Sequence, residues 1–187
     1  MKNQQYPELG PLAPLVGIWE GDKGHDTAPD SSRGTEINLF RERTTFEYIG
    51  RVDNHEQVLH GLRYATKAWR LGEADGFHEE VGYWLWDAAH KQVMRCFLVP
   101  RGVSLIAGGT AEADARVLHM EAKAGSETYG ICSNLFLTQE FKTVRYSLKL
   151  TIHDQASYTY EEDTELKIKG QAAIFHHKDR NTMHRIG

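Results

Sequence analysis

Two stretches of the sequence carry ionisable side chains where the surrounding residues predict buried strands, and both could support ligand chemistry. Residues 77–86 read FHEEVGYWLW. In an extended chain His78, Glu80, Gly82, Trp84 and Trp86 share one face, while Phe77, Glu79, Val81, Tyr83 and Leu85 share the other. A buried imidazole or carboxylate is costly unless it is hydrogen-bonded, paired or used, so a core strand needs a reason to carry them. The C-terminal AIFHHKDRNTMHRIG holds His176, His177 and His184. Its apolar start, Ala172 to Phe175, predicts a closing strand in which His176 and His177 face opposite sides, one of them inward. An imidazole aimed into an apolar cavity can ligate haem iron, with its other ring nitrogen held by a carbonyl or carboxylate; a hydrogen-bonded core histidine is the alternative. His60, between Leu59 and Leu62, is the third position of interest. His25, His55, His90 and His153 fall in turn-like contexts and His119 alternates with Leu118 and Met120, so these five are expected at the surface.

Other chemistries lack their signatures. His78-Glu79-Glu80-Val81-Gly82 begins like HExxH, but Gly82 replaces the second histidine and the segment is extended, which excludes a zinc protease. The chain has no GxSxG, GxxxxGK[ST] or GxGxxG, removing the usual hydrolase, P-loop and dinucleotide readings. Gly108-Gly109 reads as a bulge or close backbone approach. Cys96 and Cys132 have no metal-binding spacing and are expected to be small, partly buried residues. Net charge is −4 with the basic residues scattered among acids, so no footprint for nucleic acid exists. MKNQQYPELG lacks the apolar centre of a signal peptide and no run of about 18 apolar residues occurs, so a soluble, cytoplasmic protein that does not enter membranes is expected.

These side chains must be positioned by strands. Val144, Tyr146, Leu148, Leu150 and Ile152 alternate with polar residues, and SYTYEEDTELKIK places Tyr158, Tyr160, Glu162, Thr164, Leu166 and Ile168 on one face. The two read as a long hairpin about residues 153–156. Segments 36–49, 57–70, 77–86, 92–99, 103–110 and 116–122 fit the same pattern, giving about eight to ten strands. Helical signal is confined to about one turn at Pro11–Val16. An all-β, single-domain antiparallel up-and-down barrel over 1–187 follows, since closure removes exposed edges; a sandwich is the runner-up. A barrel of this size can enclose a ligand. The polar His25–Thr35 reads as a mobile loop over one mouth.

Three motifs then carry a resemblance. Gly17-Ile18-Trp19-Glu20-Gly21-Asp22-Lys23-Gly24 resembles the GxWxGxG opening of the nitrobindin family, the haem-binding calycin-like barrels that also form the C-terminal domain of some THAP proteins. Phe40 to Glu47 resembles that family's next strand, and His78 to Tyr83 its HxExGY segment. The resemblance implies a ten-stranded barrel, haem b held as ferric iron by one histidine near the C-terminus, and either nitric oxide binding or isomerisation of peroxynitrite to nitrate, making the protein a possible isomerase. The family's ligand histidine opens HLxAxLxR; here His177 to Arg185 is one residue longer, His177 being the match and His176 the alternate. The stretch after Gly24, Arg51 to Gln57, Glu79 and Lys178 also depart from the pattern. His78 would line the pocket, with Arg101 or Arg185 meeting the propionates. Fatty-acid-binding proteins share the barrel plan, so carriage of a fatty acid or other small apolar ligand without haem is the alternative, and a pocket filled by its own side chains a third. The chain is expected to be a monomer or homodimer.

Overall fold

The computed structural model describes residues 5–187, and these form a closed eleven-stranded barrel. The strands are β1 (Gly17–Pro29), β2 (Thr35–Asp53), β3 (Val58–Arg70), β4 (His78–Asp87), β5 (Gln92–Val99), β6 (Val103–Thr110), β7 (Val117–Ala124), β8 (Gly130–Ser133), β9 (Phe141–Ile152), β10 (Ser157–Ile168) and β11 (Phe175–Arg185). Their order around the barrel is β1-β11-β10-β9-β7-β8-β6-β5-β4-β3-β2. All pairings are antiparallel except the short parallel contact of β8 with β7. The expected all-β barrel is thus the observed one, with β8 inserted between β6 and β7 as the extra strand.

Side-chain alternation sets the interior. Phe40, Glu42, Thr44 and Phe46 from β2, Leu62, Tyr64, Thr66 and Ala68 from β3, and Trp84 and Trp86 from β4 are all buried. In β9 the period holds from Tyr146 to Ile152, but Thr143 rather than Val144 is buried, because the register shifts opposite Glu165 and Leu166. Gly82 on β4 lies where the backbone of β5 comes very close: a Cβ there would overlap the carbonyl oxygen of Cys96.

One end of the barrel is closed. A 3₁₀ segment, Pro7–Leu15, longer than the single turn expected, inserts Leu9, Leu12 and Leu15 completely out of solvent. It turns at Gly10, whose φ of 53° suits glycine and whose missing side chain leaves room for Trp86. Trp19 Nε1 donates to the Leu15 carbonyl at 2.7 Å. Arg185 lies 4.3 Å over the Trp19 ring and donates to the carbonyls of Pro14, Val16 and Gln155.

The other end is bordered by the β1–β2 turn, the β3–β4 and β5–β6 connections and a short helix, α1 (Leu135–Glu140). Asn134 caps α1 by accepting from Leu137 N at 2.9 Å. The mobile loop expected over His25–Thr35 is largely strand. β1 continues to Pro29, pairing with β2 as far as Pro29↔Thr35 and with β11 at Thr27↔Lys178, and only residues 30–34 turn, around Asp30. Its polar composition reflects a wet outer face and a polar inner one. Cys132 is exposed, contrary to the burial expected of it, and Cys96 is half-buried. No helix among the described residues is long and apolar enough to cross a membrane.

Candidate functional site

Inside the open half lies a cavity of about 790 Å³. Strand alternation explains which polar side chains reach it. On β11, His177 and Asp179 face inward while His176 faces out, where its Nδ1 meets Asp163 Oδ2 at 2.9 Å. On β4, His78 and Glu80 face inward together, with His78 Nε2 3.8 Å from Glu80 Oε2. Glu80 outweighs the burial that would lower the His78 imidazole pKa, so the net shift is upward.

His177 is held by β1. Its Nε2 donates to Asp26 Oδ1 at 2.8 Å, and Asp26 Oδ2 accepts from Asn38 Nδ2 at 3.0 Å. Burial alone would raise the Asp26 carboxyl, but these bonds and the imidazole charge bring it below its ordinary value.

The floor of the cavity is polar and largely self-contained. Arg95, 6% exposed, donates to Glu80, Glu162, Tyr64 and Tyr146. Burial would push the Glu80 carboxyl up, and Arg95 and His78 together bring it down. Glu42 accepts from Tyr160 (2.6 Å), Thr44 (3.1 Å) and Asn181 (3.3 Å), and a 2.5 Å bond joins Thr44 to Thr66. Desolvation still leaves Glu42 above the usual carboxylate range. Asp179 is driven well above it by burial and by Glu162, Asp26, Glu42 and Glu80 around it.

The lip differs. Phe40, Phe77, Val99, Leu137, Phe141 and Leu166 supply apolar wall, and Lys67, Arg70 and Arg101 supply cations. Arg70 lies 4.7 Å over the Phe77 ring.

Of the residues singled out from sequence, the cavity brings together His177, His78 and Arg101, while His176 points away from it. Arg185 is corrected outright as a partner for a cofactor's carboxylates. It shares the inward parity of His177 but lies roughly 26 Å further along β11 at about 3.3 Å per residue, bound to the plug at the closed end. His60 is also at that end, its Nδ1 3.2 Å from Tyr48 Oη, which donates to Glu8. Sequence reasoning missed Arg95, Asp26, Glu42 and Asp179. Arg95 had a signal, since it alternates with Val93 and Phe97 on the apolar face of β5.

A family model described as "THAP4-like, heme-binding beta-barrel domain" matches residues 8–185. The chain belongs to this nitrobindin family. The crystal structure of Rv2717c from M. tuberculosis is similar over 99% of this chain and 100% of that one, with a TM-score of 0.65 and 18% identity, a likeness of fold. No curated protein matches the chain. Among the described residues, no group of three or more His, Cys, Asp or Glu side chains is arranged to hold a bare metal ion. The donor set of this nitrobindin-family cavity is instead two inward imidazoles, His177 and His78, with apolar walls and a cationic lip, and that set fits a porphyrin with anionic side groups.

Proposed function

We propose that the protein binds haem b in this cavity, with His177 as the axial ligand to ferric iron. The observation that carries the reading is the inward placement of His177, in a chain of a haem-binding family, on the wall of a cavity large enough for a cofactor. Apolar side chains at the lip would contact the macrocycle, and Arg70, Arg101 and Lys67 would meet its carboxylates, guanidinium being suited to that pairing. When bound, haem supplies a Lewis-acidic iron for nitric oxide binding or isomerisation of peroxynitrite to nitrate. The chain's own contribution is to carry the His177 imidazole into the cavity on β11, beside Asp26, and to line the space around it with apolar side chains.

Fatty-acid carriage has less support. An acyl carboxylate needs a free interior cation, and the donors of Arg95 are already committed to two carboxylates and two phenols.

The test is titration with ferric haem, followed by absorption, of the wild type, His177→Ala and His176→Ala. Saturable one-to-one binding with a sharp Soret band, lost in His177→Ala and retained in His176→Ala, is expected. An unchanged band in His177→Ala would overturn the assignment.

A further inference from the structure

The bond that orients His177 also occupies it. Axial ligation of a flat macrocycle must use Nε2, because Nδ1 sits beside the ring's own Cβ, where the macrocycle would run into the strand. In the structure Nε2 is taken up by Asp26 at 2.8 Å. Asp26 is no loose surface carboxylate, being 4% exposed and tied through its second oxygen to Asn38. Asn38 in turn accepts from Arg70 Nε at 2.9 Å through its Oδ1, and its Nδ2 also donates to Glu36 at 2.9 Å. Arg70 is at the lip, stacked on Phe77, with Glu36 Oε1 at 3.5 Å and Glu73 Oε2 at 3.9 Å from its terminal nitrogens. A continuous line of contacts therefore joins the cavity-facing imidazole to a cation at the mouth.

We propose that Asp26, Asn38 and Arg70 form a latch on His177 that selects ligands bearing carboxylates, an inference that rests on the haem reading. A carboxylate arriving at the mouth competes with Asn38, and with Glu36 and Glu73, for the Arg70 guanidinium. Once Arg70 is engaged, Asn38 loses its anchor and Asp26 loses a donor that fixed it; Nε2 then gives its proton to solvent while Nδ1 takes one up, and the neutral imidazole offers the Nε2 lone pair to the ligand. A porphyrin without anionic side groups has to displace Asp26 unaided. Such a ligand pays the full strength of a charge-assisted hydrogen bond, whereas a ligand that binds the open state through Arg70 shifts the equilibrium by that extra affinity.

The experiment compares ferric haem with its dimethyl ester in the wild type, Asp26→Asn and Asn38→Ala, by Soret titration. The ligand-free proteins are examined in parallel by ¹⁵N NMR at the His177 ring. The wild type is expected to prefer haem to the ester. Asp26→Asn should bind the ester about tenfold more tightly, the loss of one charge-assisted bond, and gain less for haem, so the preference shrinks. Asn38→Ala should move in the same direction by less, and it tests the latch without touching the partner of His177. The NMR spectrum should show a protonated, hydrogen-bonded Nε2 in the wild type that changes in Asp26→Asn. His177-dependent haem binding with the preference unchanged, or weaker ester binding in Asp26→Asn, overturns the latch and leaves the haem reading intact. Absence of a His177-dependent band in every protein overturns the haem reading and the selectivity with it.

Discussion

Replacing Arg95 by Leu should be among the most destabilising single changes in the barrel. The guanidinium is buried between Glu80 and Glu162, with side-chain exposures of 7%, 6% and 14%, and also donates to Tyr64 and Tyr146. Leucine keeps apolar contact with Phe97, which lies 4.6 Å from the guanidinium carbon, but strands two carboxylates in low dielectric. Breaking a buried pair by removing one partner costs about 3–5 kcal/mol. At roughly 2–4 °C per kcal/mol for a chain of this size, Tm should fall by about 6–20 °C. Urea denaturation measures the loss directly, and Arg95→Leu/Glu80→Gln/Glu162→Gln should recover much of it, because neutral amides carry no charge to strand. The pH dependence has a definite sign. The depressed Glu80 pKa gives wild-type stability that is present above the unfolded value, about 4.3, and is lost as pH falls through the folded one. In Arg95→Leu, Glu80 shifts the other way and its penalty vanishes in acid, so the gap between the proteins narrows below pH about 4. A loss under about 1 kcal/mol, or a triple variant no more stable than the single, would refute the reasoning.

Arg185→Ala removes donors to the carbonyls of Pro14, Val16 and Gln155 and should cost about 1.5–3 kcal/mol by denaturation while leaving haem affinity unchanged, since the residue is far from the cavity. Gly82→Ala forces a Cβ into the backbone of Cys96 and should cost about 3 kcal/mol, read as a drop in the urea midpoint. The raised folded-state pKa of His78 stabilises the protein fully below the unfolded value of about 6.5 and fades as pH rises through the folded one. His78→Gln should therefore flatten the stability profile above pH about 6.5, and an unaltered slope would show that Glu80 does not act on this imidazole.

What was legible in the sequence was whatever has a period of two. The inner faces of β4 and β10, including Glu80 and Glu162, follow directly from alternation, as does the opposition of His176 and His177. What alternation cannot show is which inner residues meet. Asp26 and His177 are 151 positions apart and Arg95 and Glu162 are 67 apart, so their pairing exists only after the barrel closes. Asp26 was hidden further because its neighbours, Thr27, Asp30, Ser31 and Ser32, have turn composition, although pairing to β2 and β11 keeps the chain extended to Pro29. Arg185 shows the converse error: correct parity on the right strand, but the wrong end of it. Alternation assigns a face, and only the register along the barrel axis assigns a depth.

Depth is also what separates structure from function in this interior. Arg95, with Glu80, Glu162, Tyr64 and Tyr146, satisfies itself, and Glu42 receives three donors from its own neighbours. Polar groups so committed resist a ligand, because recruiting one leaves another buried and unpaired. They fix how the strands meet across the barrel. Nearer the mouth the groups are more exposed: His78 is 3.8 Å from its carboxylate, Arg101 is exposed, and Arg70 stacks on Phe77 while donating to Asn38 and lying 3.5 Å from Glu36. His177 stands at the boundary, bonded to a buried carboxylate on one side and open to the cavity on the other, with its side chain 35% exposed. Under the haem reading proposed above, the hydrogen bond between His177 and Asp26 is the contact that must change for the imidazole to act.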